Sequence, residues 1–265
     1  MKTVRSGDGT TIAFDRTGSG PPLVLIGGAM STRGAAADLA SHLDADLTVV
    51  AYDRRGRGDS SDTAPYAVER EIEDLDALIG AVGGSASLLG HSSGAVLCLR
   101  ATAAGLRVLR LAVYEPPFIV DGSREPLPDD YVPHLDELVA AGRRGDAVEY
   151  FLTVGVQVPP QLIDQIRSSP GWPDMESVAH TLAYDGLVMG DAMAGSPEPL
   201  TRWATVETPT LVIDGGESPP WIRNSARTLA ETLPNSTYRT LQGQGHGPAS
   251  AVLAPVLAGF FAARK

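Results

Sequence analysis

Short runs rich in apolar residues recur along the chain, each closed by glycine, proline or a charged turn. Leu23-Val24-Leu25-Ile26 is unbroken, and residues 47–52, Ala86-Ser87-Leu88-Leu89, 109–115 and Thr210-Leu211-Val212-Ile213 have the same character. Runs of this length without polar alternation suit strands buried on both faces. Residues 10–15 alternate as a half-exposed strand does, and 237–241 give a further strand signal. Helical patterns lie between them at 35–43, 68–82, 95–104, 222–233 and 252–263. Glu69, Glu71 and Glu73, near the start of the second of these, complement a helix dipole. Strand–helix alternation of this kind predicts an α/β fold, a mostly parallel central sheet covered by helices on both faces.

The alternation stops after Pro116-Pro117. Residues 118–204 carry helix signals at 131–141, 146–156, 161–168 and 175–189, and no convincing buried strand. The pattern divides the chain into a first part of an α/β core (1–117), an inserted helical cap (118–204) and the second part of the core (205–265). There is no internal repeat and no low-complexity tract.

Composition narrows the function. The 265 residues suffice for one large domain, and 43% hydrophobic with 20% charged residues is ordinary for a globular protein. The first eight residues have no apolar signal core and no run is long enough for a membrane span, so a cytoplasmic protein without a membrane partner is expected. The lone Cys98 fits a reducing compartment and reads as a buried filler. A net charge of −11 argues against a nucleic-acid partner. No phosphate-cradling, dinucleotide-binding or H-E-x-x-H motif is present, so neither cofactor nor metal is expected.

The chemistry concentrates at Gly90-His91-Ser92-Ser93-Gly94, a G-x-S-x-G between a strand and a helix. A serine hydroxyl becomes a useful nucleophile when a sharp strand-to-helix turn exposes it beside a base and an oxyanion hole. The spacing selects Ser92 rather than Ser93, and Gly90 and Gly94 leave out the Cβ atoms that such a turn excludes. His246 follows the last strand in Gly243-Gln244-Gly245-His246-Gly247. It lies at the sheet edge that also carries the elbow, where it can serve as general base. The third group is less determined: Glu115, Asp214 and Glu217 all lie at strand ends on that edge. Glu115, fixed by the two prolines after it, leads on position alone. The N–H groups of Ser93 and of Ala29, in Gly27-Gly28-Ala29-Met30, are the expected oxyanion donors. Arg54, Arg55 and Arg57 read as structural, in a turn shaped by Asp53 and its glycines.

Taken together, these motifs resemble the α/β-hydrolase fold family over essentially the whole chain. Two departures stand out. Members commonly have His-Gly in the oxyanion loop, where this chain has Gly27-Gly28, and an acid after the seventh strand, where this chain has Ser218. A branch that includes zearalenone-type lactonases and some haloalkane dehalogenases places a glutamate after the sixth strand instead. Tyr114-Glu115-Pro116-Pro117 resembles that arrangement, which raises Glu115 above its rivals. The resemblance also implies the cap, while Ser92 separates the chain from members with an aspartate nucleophile.

The expected activity is cofactor-independent hydrolysis of a small-molecule carboxylic ester or lactone by Ser92, His246 and Glu115. Gly28, Met30, His91, Trp172, Tyr184, Leu187 and Met189 are the candidate pocket residues. The alternatives are a thioesterase, cyclase or C–C bond hydrolase, and a ligand sensor with a nearly silent triad. Neither the substrate's identity nor the oligomeric state is encoded legibly.

Overall fold

The computed structural model describes residues 1–262. Its strands are β1 (Lys2–Arg5), β2 (Thr11–Thr17), β3 (Pro22–Ile26), β4 (Thr48–Tyr52), β5 (Ala86–His91), β6 (Val108–Tyr114), β7 (Thr210–Gly215) and β8 (Ser236–Leu241). They form one sheet in the order β1-β2-β4-β3-β5-β6-β7-β8. β2 runs antiparallel to both β1 and β4, and the remaining pairs are parallel. β1 has no counterpart among the predicted strands, because its four mostly exposed residues carry no apolar run.

Around the sheet lie α1 (Ala37–Leu43), α2 (Val68–Ala81), α3 (Ser93–Ala103), α9 (Pro220–Thr232) and α10 (Ser250–Phe261). The intervening α4 (Tyr131–Ala140), α5 (Arg144–Tyr150), α6 (Pro160–Arg167), α7 (Trp172–Ser177) and α8 (Leu182–Met189) belong to the segment between β6 and β7. The expected end of the last helix, residue 263, lies outside the described residues. None of the described helices is long and apolar enough to cross a membrane.

Successive strand residues point to opposite faces, so one apolar run serves two cores. Val24, Ile26, Leu88, Val113 and Val212 pack with residues of α2, α3 and α9. Leu23, Leu25, Leu89, Ala112 and Ile213 pack with α1 and α10 on the other side. The registers Ile26↔Gly90, His91↔Tyr114, Tyr114↔Ile213 and Gly215↔Leu241 align the carboxyl ends of β3, β5, β6, β7 and β8. The loops after these strands, and after the parallel β4, therefore leave the sheet at one edge.

The segment between β6 and β7 is helical. Tyr131, Leu135, Ala147, Val148, Trp172 and Leu182 form a cluster of its own, whereas Phe118–Val120 and Val188, Met189, Leu200 and Trp203 join the main core. The helix expected over 146–156 is α5 continued by a π-helical turn, Phe151–Gly155. The one expected over 175–189 is broken: α7 starts at Trp172, a 3-10 turn spans Ala179–Thr181, and α8 follows. The break lets Thr181 and Asp185 reach the turn after β4, where both accept hydrogen bonds from Arg57.

Candidate active site

β5 runs straight into the elbow. The Ser92 N–H donates to Tyr114 O at 3.0 Å, extending the β5–β6 ladder by one bond, and α3 begins at the next residue. Turning from strand to helix within one residue places Ser92 at φ 55°, ψ −127°. For a residue with a side chain this costs on the order of 1–3 kcal/mol, a strain found mainly at functional positions. The glycines make the turn possible. A Cβ on Gly90 would stand 2.5 Å from Ala95 Cα, and one on Gly94 would stand 2.4 Å from Ile26 O. Met30 and Glu115, in the neighbouring loops, also have positive φ, 58° and 47°.

Glu115 is fully buried, and its Oε2 lies 2.7 Å from His246 Nδ1. Its other oxygen accepts the Gly215 N–H at 2.7 Å. Burial alone would raise this carboxyl. The His246 bond, the Ser218 hydroxyl facing it and the Gly215 N–H outweigh burial and hold it below the usual range. A carboxylate only accepts, so Nδ1 carries the hydrogen and the lone pair of His246 is left on Nε2. The rival acids do other work. Asp214 accepts the Tyr238 hydroxyl at 2.7 Å and pairs with Arg223, and Glu217 is exposed.

Two side chains hold the His246 loop from below. Tyr114 OH donates to Gly245 O at 2.5 Å, and His91 Nε2 lies 2.7 Å from His246 O. A carbonyl only accepts, so His91 Nε2 is protonated. Its ring centroid is 4.6 Å from that of His246. Burial first and the neighbouring His246 second push the His91 imidazole down to about 4, so it is neutral near pH 7. Sequence reasoning had no signal for the Tyr114 contact, because the residue reads as an ordinary core aromatic.

Ser92, Ser93, Ala29 and His246 line one cavity of about 180 Å³. Its walls are mainly apolar: Leu127, Tyr131 and Phe151 from the insertion, Trp221 and Ile222 from α9, and Met189 from α8. Met189 is thus the one wall residue of the insertion that the sequence singled out. The other proposed pocket residues lie elsewhere. Trp172 is buried in the insertion's own cluster, and Met30 packs against that cluster. Tyr184 stacks on Tyr66 at 3.8 Å and donates to Asp62, and Leu187 is 43% exposed. Gly28 sits under the nucleophile, where a Cβ would come within 2.9 Å of Ser92 Cβ. His91 lines a separate cavity of about 270 Å³ with Tyr114 and Gly247, behind the His246 loop.

The arginine-rich turn is buried rather than solvated. Arg54 binds Glu71 through Nε and Nη2 at 2.7 and 2.6 Å, and Arg55 pairs with Asp74 at 2.8 Å. Arg54 and Arg57 each reach Asp185 at 2.6 Å. Glu71, expected to serve the helix dipole, is therefore an ion-pair partner. Burial would raise the Asp185 carboxyl, but Arg57 and Arg54 outweigh it and hold it down. The signal for this network was present but unread: a single acid in the apolar stretch Leu182-Ala183-Tyr184-Asp185-Gly186-Leu187-Val188-Met189.

Comparison with known proteins agrees with this architecture. A sequence profile described as the Alpha/beta hydrolase family matches residues 23–256. An alpha/beta hydrolase from Sphaerobacter thermophilus is 59% identical, with a TM-score of 0.92 over 98% of this chain and 100% of that one. Two more distant structures share the fold. The enol-lactonase from Burkholderia xenovorans is 18% identical (TM-score 0.73, covering 99% of this chain and 100% of that one). A thermophilic esterase from Thermogutta terrifontis is 21% identical (TM-score 0.72, covering 98% and 97%). The strand order, the elbow and the extent of the match lead to one conclusion: the chain belongs to the alpha/beta hydrolase family.

Proposed function

We propose that this protein is a serine hydrolase that cleaves a carboxylic ester or lactone through an acyl-enzyme on Ser92, with the helical insertion as its cap. The observation that carries the reading is the 2.7 Å contact from His246 Nδ1 to buried Glu115, on a histidine that lines the same cavity as Ser92. In the first step Ser92 Oγ attacks the carbonyl carbon while its proton passes to His246 Nε2. The oxyanion accepts hydrogen bonds from the Ala29 and Ser93 N–H groups. Ser93 is the first residue of α3, so its N–H has no acceptor within the helix. Collapse of the tetrahedral species breaks the C–O bond, and the leaving oxygen takes the proton from His246. Water then adds by the same route, releasing the acid and restoring Ser92. In a lactone the leaving alcohol stays tethered to the acyl group.

The apolar wall from Leu127 to Ile222 suits an uncharged acyl chain or ring and excludes water from the oxyanion. A reducing compartment accommodates the single buried Cys98, and we assign the protein to the cytoplasm on that ground. The test is a fluorophosphonate probe together with a panel of acyl esters and lactones. Labelling at Ser92 and turnover of at least one class are expected. No labelling and no turnover would instead favour a binding protein.

A further inference from the structure

We propose that Arg57 and Asp185 are positioning residues that set both oxyanion donors, forming a side-chain bracket that runs from the Gly28–Ala29 peptide through the cap to Ser93. The inference rests on the hydrolase reading above and concerns what holds its oxyanion hole in shape.

The bracket can be followed atom by atom. Arg57 Nη1 donates to Gly28 O at 2.6 Å. Gly28 O and the Ala29 N–H belong to one peptide unit, which is trans, so the two groups point in opposite directions. Anchoring the carbonyl on the guanidinium therefore turns the Ala29 N–H away from Arg57. A charge-assisted bond at the carbonyl also polarises the peptide and makes that N–H a stronger donor. Arg57 Nη2 then donates to Asp185 Oδ2 at 2.6 Å, and Ser93 Oγ donates to Asp185 Oδ1 at 2.7 Å. Ser93 supplies the second donor. One carboxylate on α8 thus ties the two halves of the hole together.

The bracket is braced on all sides. Arg57 Nε donates to Thr181 Oγ1 at 3.0 Å, and Arg54, itself held by Glu71, donates to Asp185 Oδ1 at 2.6 Å. Arg54, Arg57, Glu71 and Asp185 are all at least 95% buried, and two cations balance two anions. Burying four charges is rarely the most stable way to fill a core. Here the placement gives a fixed charge arrangement at the wall of the cavity that Ser92 and His246 also line. Because Asp185 and Thr181 come from the cap, the seat of the cap and the shape of the hole are a single property.

The experiment compares the wild type with Arg57→Lys and Ser93→Ala on a p-nitrophenyl ester, and measures binding of an arylboronic acid, which forms a tetrahedral adduct on the nucleophile. Lysine cannot hold Gly28 O and Asp185 together. Ser93→Ala removes one hydroxyl and leaves all four charges, so it keeps the test open if Arg57→Lys does not fold. A lost oxyanion donor costs about 100- to 1,000-fold in kcat, and a misaligned one should cost less. The expected losses in kcat are about 30-fold for Arg57→Lys and about 10-fold for Ser93→Ala. KM should stay within about threefold, and boronate affinity should fall in step with kcat. If the wild type is labelled by fluorophosphonate and hydrolyses the ester, while both variants keep kcat and boronate affinity within about twofold, the bracket is wrong and the hydrolase reading stands. If the wild type neither labels nor turns over, both fall together.

Discussion

Ser92, Glu115 and His246 stand just beyond the ends of β5, β6 and β8, and their meeting point follows from backbone register. Tyr131, Phe151 and Met189 reach the same cavity from three separate helical segments between β6 and β7, with no ladder to align them. A parallel sheet allows few registers, so a residue at a strand end has a defined position. Short helices are placed by the side chains between them, so a wall residue there is defined by its neighbours. The proposed reacting groups are accordingly placed by strand register, and the proposed substrate-facing wall by side-chain packing.

That contrast can be tested from its strongest point downward. Ser92→Ala should abolish fluorophosphonate labelling and lower kcat by about a million-fold, with the melting temperature retained, because alanine keeps a Cβ at the same backbone angles. Persistent labelling would mean that another residue is the nucleophile. Glu115→Gln should lower kcat by about 1,000- to 10,000-fold, because the imidazole loses the acceptor that sets its tautomer. Glu217→Gln should leave kcat within about twofold, since that side chain is exposed and His246 Nδ1 bonds Glu115. Near-normal turnover by Glu115→Gln would place the acid elsewhere.

In the insertion, two apolar residues distinguish its internal packing from the cavity wall. Trp172→Ala empties the insertion's own cluster and should destabilise the fold by about 3–5 kcal/mol, read by denaturant unfolding. Met189→Ala enlarges the cavity itself and should shift the preferred acyl length upward in a graded ester series. If Trp172→Ala changes acyl preference as strongly as Met189→Ala, cap core and pocket wall are not distinct.

A further prediction concerns pH. The His91 imidazole is held down to about 4 from an ordinary 6.5. Below pH 6.5 the unfolded chain takes up a proton there that the folded chain refuses until about pH 4. Stability from this group should therefore fall as pH drops through that window and level off below it. His91→Gln keeps a donor for His246 O and should lack this component, as seen in urea midpoints at pH 7, 5.5 and 4.

Most of the strand and helix pattern was legible because each buried strand had to be apolar on both faces, as 23–26 and 210–213 are. β1 escaped notice because an exposed edge strand needs no such run. The helix expected at 175–189 was read through its break, since periodicity registers apolar spacing and not the pull of Arg57 on Thr181 and Asp185. Trp172, Tyr184 and Leu187 read as pocket residues in the sequence, but Trp172 packs inside the insertion, Tyr184 stacks on Tyr66 and Leu187 is exposed.

Sequence by itself determined the strand–helix alternation, the glycines that only a cramped elbow requires, and the strand-end positions of a serine, a histidine and a short set of acids. These are local consequences of backbone geometry and burial, which a few adjacent residues suffice to specify. Tertiary structure alone decided that Glu115 rather than Asp214 or Glu217 meets His246, that Asp185 joins two arginines beneath the cavity, and which apolar residues face it. Those outcomes depend on distances between segments far apart in the chain, and such distances are set by how whole elements pack.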